Sequence, residues 1–97
     1  MRVRYTPQAF ADRENIFAYI NERNPHAARE IIRLITRRIA ELGDEPYNGH
    51  KANKGGIYTL WITPSRYRIY YRINHDEDEV AIIRVKHTSQ HYGPDLL

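Results

Sequence analysis

The segment SRYRIYYRIN, residues 65–74, contains the residue types that most directly suggest a chemical role. At the two-residue period of a β-strand, one of its faces carries three arginines around a tyrosine, with no acid on the segment. Guanidinium groups bind phosphates and carboxylates in a planar, bidentate manner, and arginine and tyrosine are frequent interface anchors. The segment therefore predicts a surface for nucleic acid or for an acidic protein segment, formed by Arg66, Arg68, Tyr70 and Arg72.

The basic residues are sorted along the chain, although the net charge of +3 is modest. Residues 46–75 contain Lys51, Lys54 and the three arginines of the segment but no acid, whereas residues 76–79 are all acidic. Such sorting is typical of a positive surface region and not of a mosaic of salt bridges. We therefore expect Lys51 and Lys54 to join the arginines in binding a partner or target.

Histidine at the end of the last predicted strand is a second candidate. His87 is close in sequence to Tyr92, and we predict that it lies within reach of Arg68. Histidine transfers protons near neutral pH, and arginine stabilises a pentacovalent phosphate. These three residues would form the catalytic site of a metal-free ribonuclease, whereas the alternative is a partly buried histidine bonded to the backbone.

Metal and cofactor sites are not predicted. His87 and His91 are four residues apart, but they lie in a tail that contains Gly93-Pro94, which bars the helix that would pair them. The sequence has no cysteine for a thiolate ligand and no glycine-rich loop for a phosphate-bearing cofactor.

The elements that must position these residues follow from periodicity and turn signals. Thr6-Pro7 and Asn24-Pro25 predict the starts of two helices, which a short turn joins into an antiparallel hairpin. Residues 43–56 have turn chemistry throughout and predict an irregular loop. Strands are predicted before the first helix and after the loop, at residues 2–5, 57–63, 65–74 and 80–86.

This order predicts a single α+β domain spanning residues 1–97, with a βααβββ arrangement and a mainly antiparallel sheet. The helical hairpin is the only element available to cover an apolar sheet face, so the other face must remain open. Arg66, Arg68, Tyr70 and Arg72 are expected to line that open face.

Composition indicates the cellular compartment in which the protein is expected. A chain of 97 residues without cysteine has no disulfide and fits a reducing cytoplasm. No apolar run approaches the ~20 residues that span a bilayer, and the start MRVRYTPQ lacks the apolar core of a secretory signal. We expect a cytoplasmic protein that does not contact the membrane.

Five segments together resemble the RelE/ParE superfamily of bacterial toxins: YTPQAFADRENIFAYI, NPHAAREIIRLI, LGDEPYNG, SRYRIYYRI and IIRVKH. They cover nearly the whole chain in the order of elements that the superfamily has. The resemblance implies a toxin of a type II toxin–antitoxin module that forms a hetero-oligomer with a small antitoxin protein and needs no cofactor.

The superfamily divides in mechanism. Members similar to ParE inhibit DNA gyrase by binding it, whereas members similar to RelE cut messenger RNA on the ribosome. Arg68 and His87 fall on positions that nucleases of the superfamily use, and Tyr92 could substitute for their tyrosine, but the residue after His87 is Thr88.

The NP-x-A-A start of the second helix and the motif YRIYYRI look more similar to ParE. The resemblance thus favours a gyrase inhibitor. The alternatives are a ribosome-dependent endoribonuclease and an inactive member that only binds its partner.

Overall fold

A computed structural model describes residues 1–52 and 55–88 of the chain. In this range two helices pack on one face of a five-stranded sheet whose order is β1-β5-β4-β3-β2. Strand β1 is parallel to β5, and the other neighbours are antiparallel. The elements are β1 (Arg2–Tyr5), α1 (Pro7–Asn21), α2 (Pro25–Glu41), a 3-10 turn (Pro46–Asn48), β2 (His50–Lys51), β3 (Ile57–Ile62), β4 (Tyr67–Asn74) and β5 (Glu79–His87). The predicted α+β class and the mainly antiparallel sheet are confirmed.

Both helices begin at the predicted residues. Thr6 Oγ1 accepts a hydrogen bond from the Ala9 amide at 3.2 Å, and Asn24 Oδ1 accepts one from the Ala27 amide at 3.0 Å. A proline follows each cap, where its missing N–H costs no intrahelical hydrogen bond. In the described residues, neither helix is long and apolar enough to cross a membrane.

The core lies between the helices and one face of the sheet. Tyr67, Ile69 and Tyr71 alternate along β4 and are buried, while α2 contributes Ile35 and Ile39. Together with β3 and β5 this face forms one apolar cluster, which also includes Leu60, Ile62, Val80, Ile82 and Val85. The predicted alternation of β4 is therefore confirmed, and its second face points away from the helices.

The predicted irregular loop at residues 43–56 is wrong in part, because it contains the 3-10 turn and strand β2. Buried Tyr71 holds this segment against the sheet: its hydroxyl donates to the Pro46 carbonyl at 2.7 Å and accepts from the Gly49 amide at 3.0 Å. A Cβ atom at residue 49 would lie 2.5 Å from the Thr59 carbonyl oxygen, so this close approach requires glycine. Contacts of this kind are tertiary and leave no periodic pattern in the sequence.

Burial also changes the ionisation of two core tyrosines. It raises the pKa of Tyr71, and the hydrogen bond from the Gly49 amide lowers that pKa in part. Burial likewise raises the pKa of Tyr67, with a smaller contribution from Tyr19. Both hydroxyls therefore favour the neutral form in the folded chain.

Candidate binding surface

The middle strand β4 carries three polar side chains on the sheet face opposite the helices. The register pairs Arg68 with Trp61, Tyr70 with Thr59 and Arg72 with Ile57 of β3. Residues paired across antiparallel strands project from the same face, so these side chains share one surface. On the other side of β4, Lys86 and Arg84 of β5 lie opposite Arg68 and Tyr70. We call this surface the open face; its members are Arg68, Tyr70, Arg72, Thr59, Trp61, Arg84, Lys86 and, on either side of Arg72, the buried Ile57 and Ala81.

Arg68 and Trp61 form a cation–π contact on the open face. The guanidinium carbon of Arg68 lies 4.1 Å from the centre of the Trp61 ring and 5.8 Å from that of Tyr70. Its Nη1 donates to the Tyr70 hydroxyl at 3.1 Å. Stacking of a cation on the face of an aromatic ring is attractive, and it fixes the plane of the guanidinium.

The arginines of β4 are not neutralised from within the described chain. In residues 1–52 and 55–88, no carboxylate forms an ion pair with Arg66, Arg68 or Arg72. By contrast, Arg84 donates through Nε and Nη2 to Asp12 of α1, at 2.9 and 3.1 Å. The uncompensated charge of the open face therefore lies along its middle strand.

Toward β1, the basic side chains of the same sheet face are paired with acids, unlike the arginines along β4. Arg2 and Arg4 of β1 both contact Glu79, at 3.7 and 3.0 Å. On β5, Lys86 Nζ lies 4.0 Å from Asp12, next to the Arg84 pair. Acidic side chains thus balance the cations toward β1, and the positive surface is narrower than the charge pattern alone predicted.

The remaining predicted basic residues lie at different places relative to the open face. Arg66 lies in the turn before β4, which begins at Tyr67, although Arg66 remains exposed beside the strand. Lys51 pairs with Tyr58, whose side is the helix-covered face, so the register directs Lys51 away from Arg68. Lys54 lies outside the described residues.

The predicted reach between His87 and Arg68 is also wrong. Strand β5 has a bulge opposite the Tyr70–Tyr71 step, where Ile83 is the extra residue. One extra residue reverses which side chains face which side of a sheet. His87 therefore pairs with Tyr67 on the helix-covered face, with the two ring centres 5.2 Å apart and the planes nearly perpendicular, whereas Arg68 projects from the opposite face.

His87 instead lines a groove between α1 and the end of β5. The groove also contains Asp12, Ile16, Tyr19 and Tyr67. Tyr92, the third residue of the predicted nuclease set, lies outside the described residues. No group of three potential metal ligands occurs within the ranges that the structure describes.

Sequence reasoning missed two residues that organise the open face. Trp61 is the only tryptophan of the chain, and it is 44% exposed under the Arg68 guanidinium. Alternation of β3 would place it with Thr59, but only the register reveals Arg68 as its neighbour. Asp12, for which no functional role was predicted, is the partner of Arg84.

Comparisons with known proteins agree with this architecture. The chain matches the family model of the ParE toxin of the parDE type II toxin–antitoxin system over residues 3–92. Y4kP of Sinorhizobium fredii, which is named as a candidate toxin, is 30% identical over 96 residues, covering 99% of this chain and 96% of the relative.

Two solved structures share the fold. The chromosomal ParDE toxin–antitoxin system from P. aeruginosa superposes with a TM-score of 0.78 at 20% identity, covering 90% of this chain and 95% of the other. The RelBE2 toxin–antitoxin complex from Mycobacterium tuberculosis superposes with a TM-score of 0.61 at 24% identity, covering 89% and 95%. Because the family model spans nearly the whole chain, the protein belongs to the ParE toxin family of type II toxin–antitoxin systems.

Proposed function

We propose that this toxin acts by binding a protein target, DNA gyrase, through the open face, and that a cognate antitoxin neutralises it. The observation that carries the proposal is the placement of Arg68 beside Trp61 on a sheet face that neither of the two described helices covers. Arginine, tryptophan and tyrosine are the residue types that most often anchor protein interfaces.

The geometry of β5 supports protein binding over RNA cleavage. In general acid–base catalysis, the group that transfers the proton and the group that stabilises the developing charge must both contact the reacting part of the substrate. The bulge at Ile83 directs His87 to the helix-covered face, while Arg68 projects from the other face. A single phosphate would not contact both side chains in this arrangement.

The antitoxin is proposed from the family and from charge. Solved relatives include toxin–antitoxin complexes such as the RelBE complex of E. coli, which has a TM-score of 0.64 with this chain. Unpaired arginines on β4 would attract an acidic partner and would repel a second copy of this basic chain. A short acidic protein encoded in the neighbouring reading frame is the expected antitoxin.

A supercoiling assay tests the target. Purified toxin at molar excess should prevent gyrase from supercoiling relaxed plasmid, and Arg68→Gln should reduce this inhibition at least about tenfold, because one interface contact to a buried charge is worth ~2–5 kcal/mol. The matched control is Arg29→Gln, which removes an exposed arginine of α2, on the opposite side of the molecule.

Unchanged supercoiling at toxin excess would exclude gyrase as the target. In parallel, primer extension on translating ribosomes tests the nuclease alternative. New messenger RNA ends that vanish in His87→Ala would establish RNA cleavage and would overturn the proposal. Addition of the neighbouring-frame protein should restore supercoiling in the first assay.

A further inference from the structure

We propose that Trp61, Arg68 and Tyr70 form a preorganised carboxylate-binding station, which anchors an aspartate or glutamate of an acidic peptide segment in the partner protein. The inference rests on the proposed function, because it names the chemistry by which the open face recognises a protein.

The guanidinium of Arg68 is held in place by two neighbours. The Trp61 ring supports its plane at 4.1 Å, and the Tyr70 hydroxyl accepts a hydrogen bond from Nη1 at 3.1 Å. Arginine ordinarily loses side-chain entropy when it binds a ligand, and a side chain that is already fixed loses less. Less of the binding energy at Arg68 is therefore lost to ordering the side chain, and more of it contributes to affinity.

Arg68 retains an unused donor. Its Nε is buried and has no hydrogen-bond acceptor among the described residues. Buried donors without acceptors are costly, so an acceptor that reaches Nε gains more than an ordinary surface hydrogen bond. Nε and Nη2 form the guanidinium edge that binds both oxygens of a carboxylate, and this is the edge that a partner's carboxylate would contact.

The surroundings favour a short acidic peptide over nucleic acid. Uncompensated arginines extend only from Arg66 to Arg72, a distance of roughly 20 Å along the strand. Beyond Arg72 the chain enters the acidic turn at residues 76–79, and toward β1 the cations are paired with Glu79. A continuous phosphate backbone would meet these carboxylates, whereas a peptide presents its acids only where the arginines lie.

The apolar surface supports the same occupant. Trp61 is 44% exposed although it is large and apolar, and it has Arg68 on only one side. A peptide segment that supplies an apolar residue next to its carboxylate would cover the indole and exclude water from the ion pair. Removal of water strengthens such a pair, because the local dielectric constant falls.

Fluorescence titration tests the station, because Trp61 is the chain's single tryptophan. The probe is a 12-residue peptide of three Asp-Gly-Glu-Leu repeats, added to the full-length protein at low salt. We expect a saturable change in Trp61 emission. The same peptide with Asn and Gln in place of the acids should bind at least about tenfold more weakly.

Substitutions of Arg68 distinguish the effect of its bidentate guanidinium geometry from the effect of its positive charge. By calorimetry, both Arg68→Lys and Arg68→Gln should weaken peptide binding at least about tenfold, because lysine keeps the charge but lacks the bidentate edge. Trp61→Leu should weaken binding several-fold, whereas Trp61→Phe should restore part of it. Arg29→Gln is the control and should bind like the wild type. Unchanged thermal unfolding shows that each variant is folded.

Several outcomes would overturn the station: no saturable binding, equal binding of the neutral peptide, or tighter binding of a 12-nucleotide single-stranded DNA. The supercoiling assay distinguishes this failure from failure of the proposed function. If the peptide binds but the toxin does not inhibit gyrase, the carboxylate-binding station is supported and gyrase is excluded as the target. If Trp61→Leu and Arg68→Lys inhibit gyrase as strongly as the wild type does, gyrase remains the target but the proposed carboxylate-binding station is wrong.

Discussion

At the residue scale, the Tyr71 hydroxyl and the Arg68 guanidinium of β4 point in opposite directions and are expected to have different roles. Tyr71 faces the helices and ties the segment between α2 and β3 to the sheet, whereas Arg68 faces outward. The alternation of a single strand thus separates a structural side chain from one that we propose binds the target. Each of them can be changed without directly touching the other.

Tyr71→Phe tests the structural role. The change leaves the Pro46 carbonyl and the Gly49 amide without their partner, so the free energy of unfolding should fall by about 1–3 kcal/mol. Urea unfolding measures this, with Tyr19→Phe, an exposed tyrosine, as the control. A loss no greater than that of the control would show that the two hydrogen bonds contribute little.

The raised pKa of Tyr71 adds a pH dependence. Because the folded chain favours the neutral hydroxyl, this contribution to stability is fully present below the unfolded tyrosine pKa of about 10 and is lost as pH rises through the higher folded pKa. Wild-type stability should therefore fall more steeply above pH 10 than that of Tyr71→Phe. Parallel pH profiles would contradict this.

At the element scale, Asp12 joins the first helix to the last strand. Strand β1 pairs with β5 only as far as Ile82, so the next part of the β5 edge lacks a strand neighbour in the described chain. The Asp12 carboxylate accepts the Val85 amide at 2.9 Å and both Arg84 donors. It therefore satisfies an edge amide and also orients α1.

Asp12→Asn should be costly. The substitution removes the negative charge that Asp12 places beside the Arg84 side chain, which is 19% exposed, and broken buried pairs typically cost about 3–5 kcal/mol. Glu30→Gln is the control, because the Glu30–Arg33 pair is exposed and should contribute less than about 1 kcal/mol. Denaturant midpoints measure both. Equal shifts in the two variants would contradict the assigned role of Asp12.

Local sequence signals predicted the helices and most of the strands, but not the strand register or the contacts between distant elements. Thr6-Pro7 and Asn24-Pro25 carry their helix starts in two adjacent residues, so the sequence alone suffices. Strand β2 and the Asp12–Arg84 pair depend on residues far apart in the chain. The bulge at Ile83 is the decisive case, since simple alternation from Ile82 would have placed His87 on the side of Arg68.

At the scale of the whole molecule, the helices support the sheet from one side, and we propose that the other side of the sheet binds the target. The helical hairpin buries one sheet face and makes the strands rigid, and neither described helix covers the opposite face, where Arg68, Trp61 and Arg72 lie at fixed spacing. Functional residues on a rigid sheet are positioned more accurately than those on loops. We therefore expect toxicity to depend on the open face and His87 to have a structural role.

Growth arrest on induced expression tests this assignment most directly. Wild-type toxin and His87→Ala should both reduce colony-forming units, whereas Arg68→Gln, produced at the same level and equally folded, should not. The reverse pattern, with toxicity lost in His87→Ala and retained in Arg68→Gln, would contradict the account.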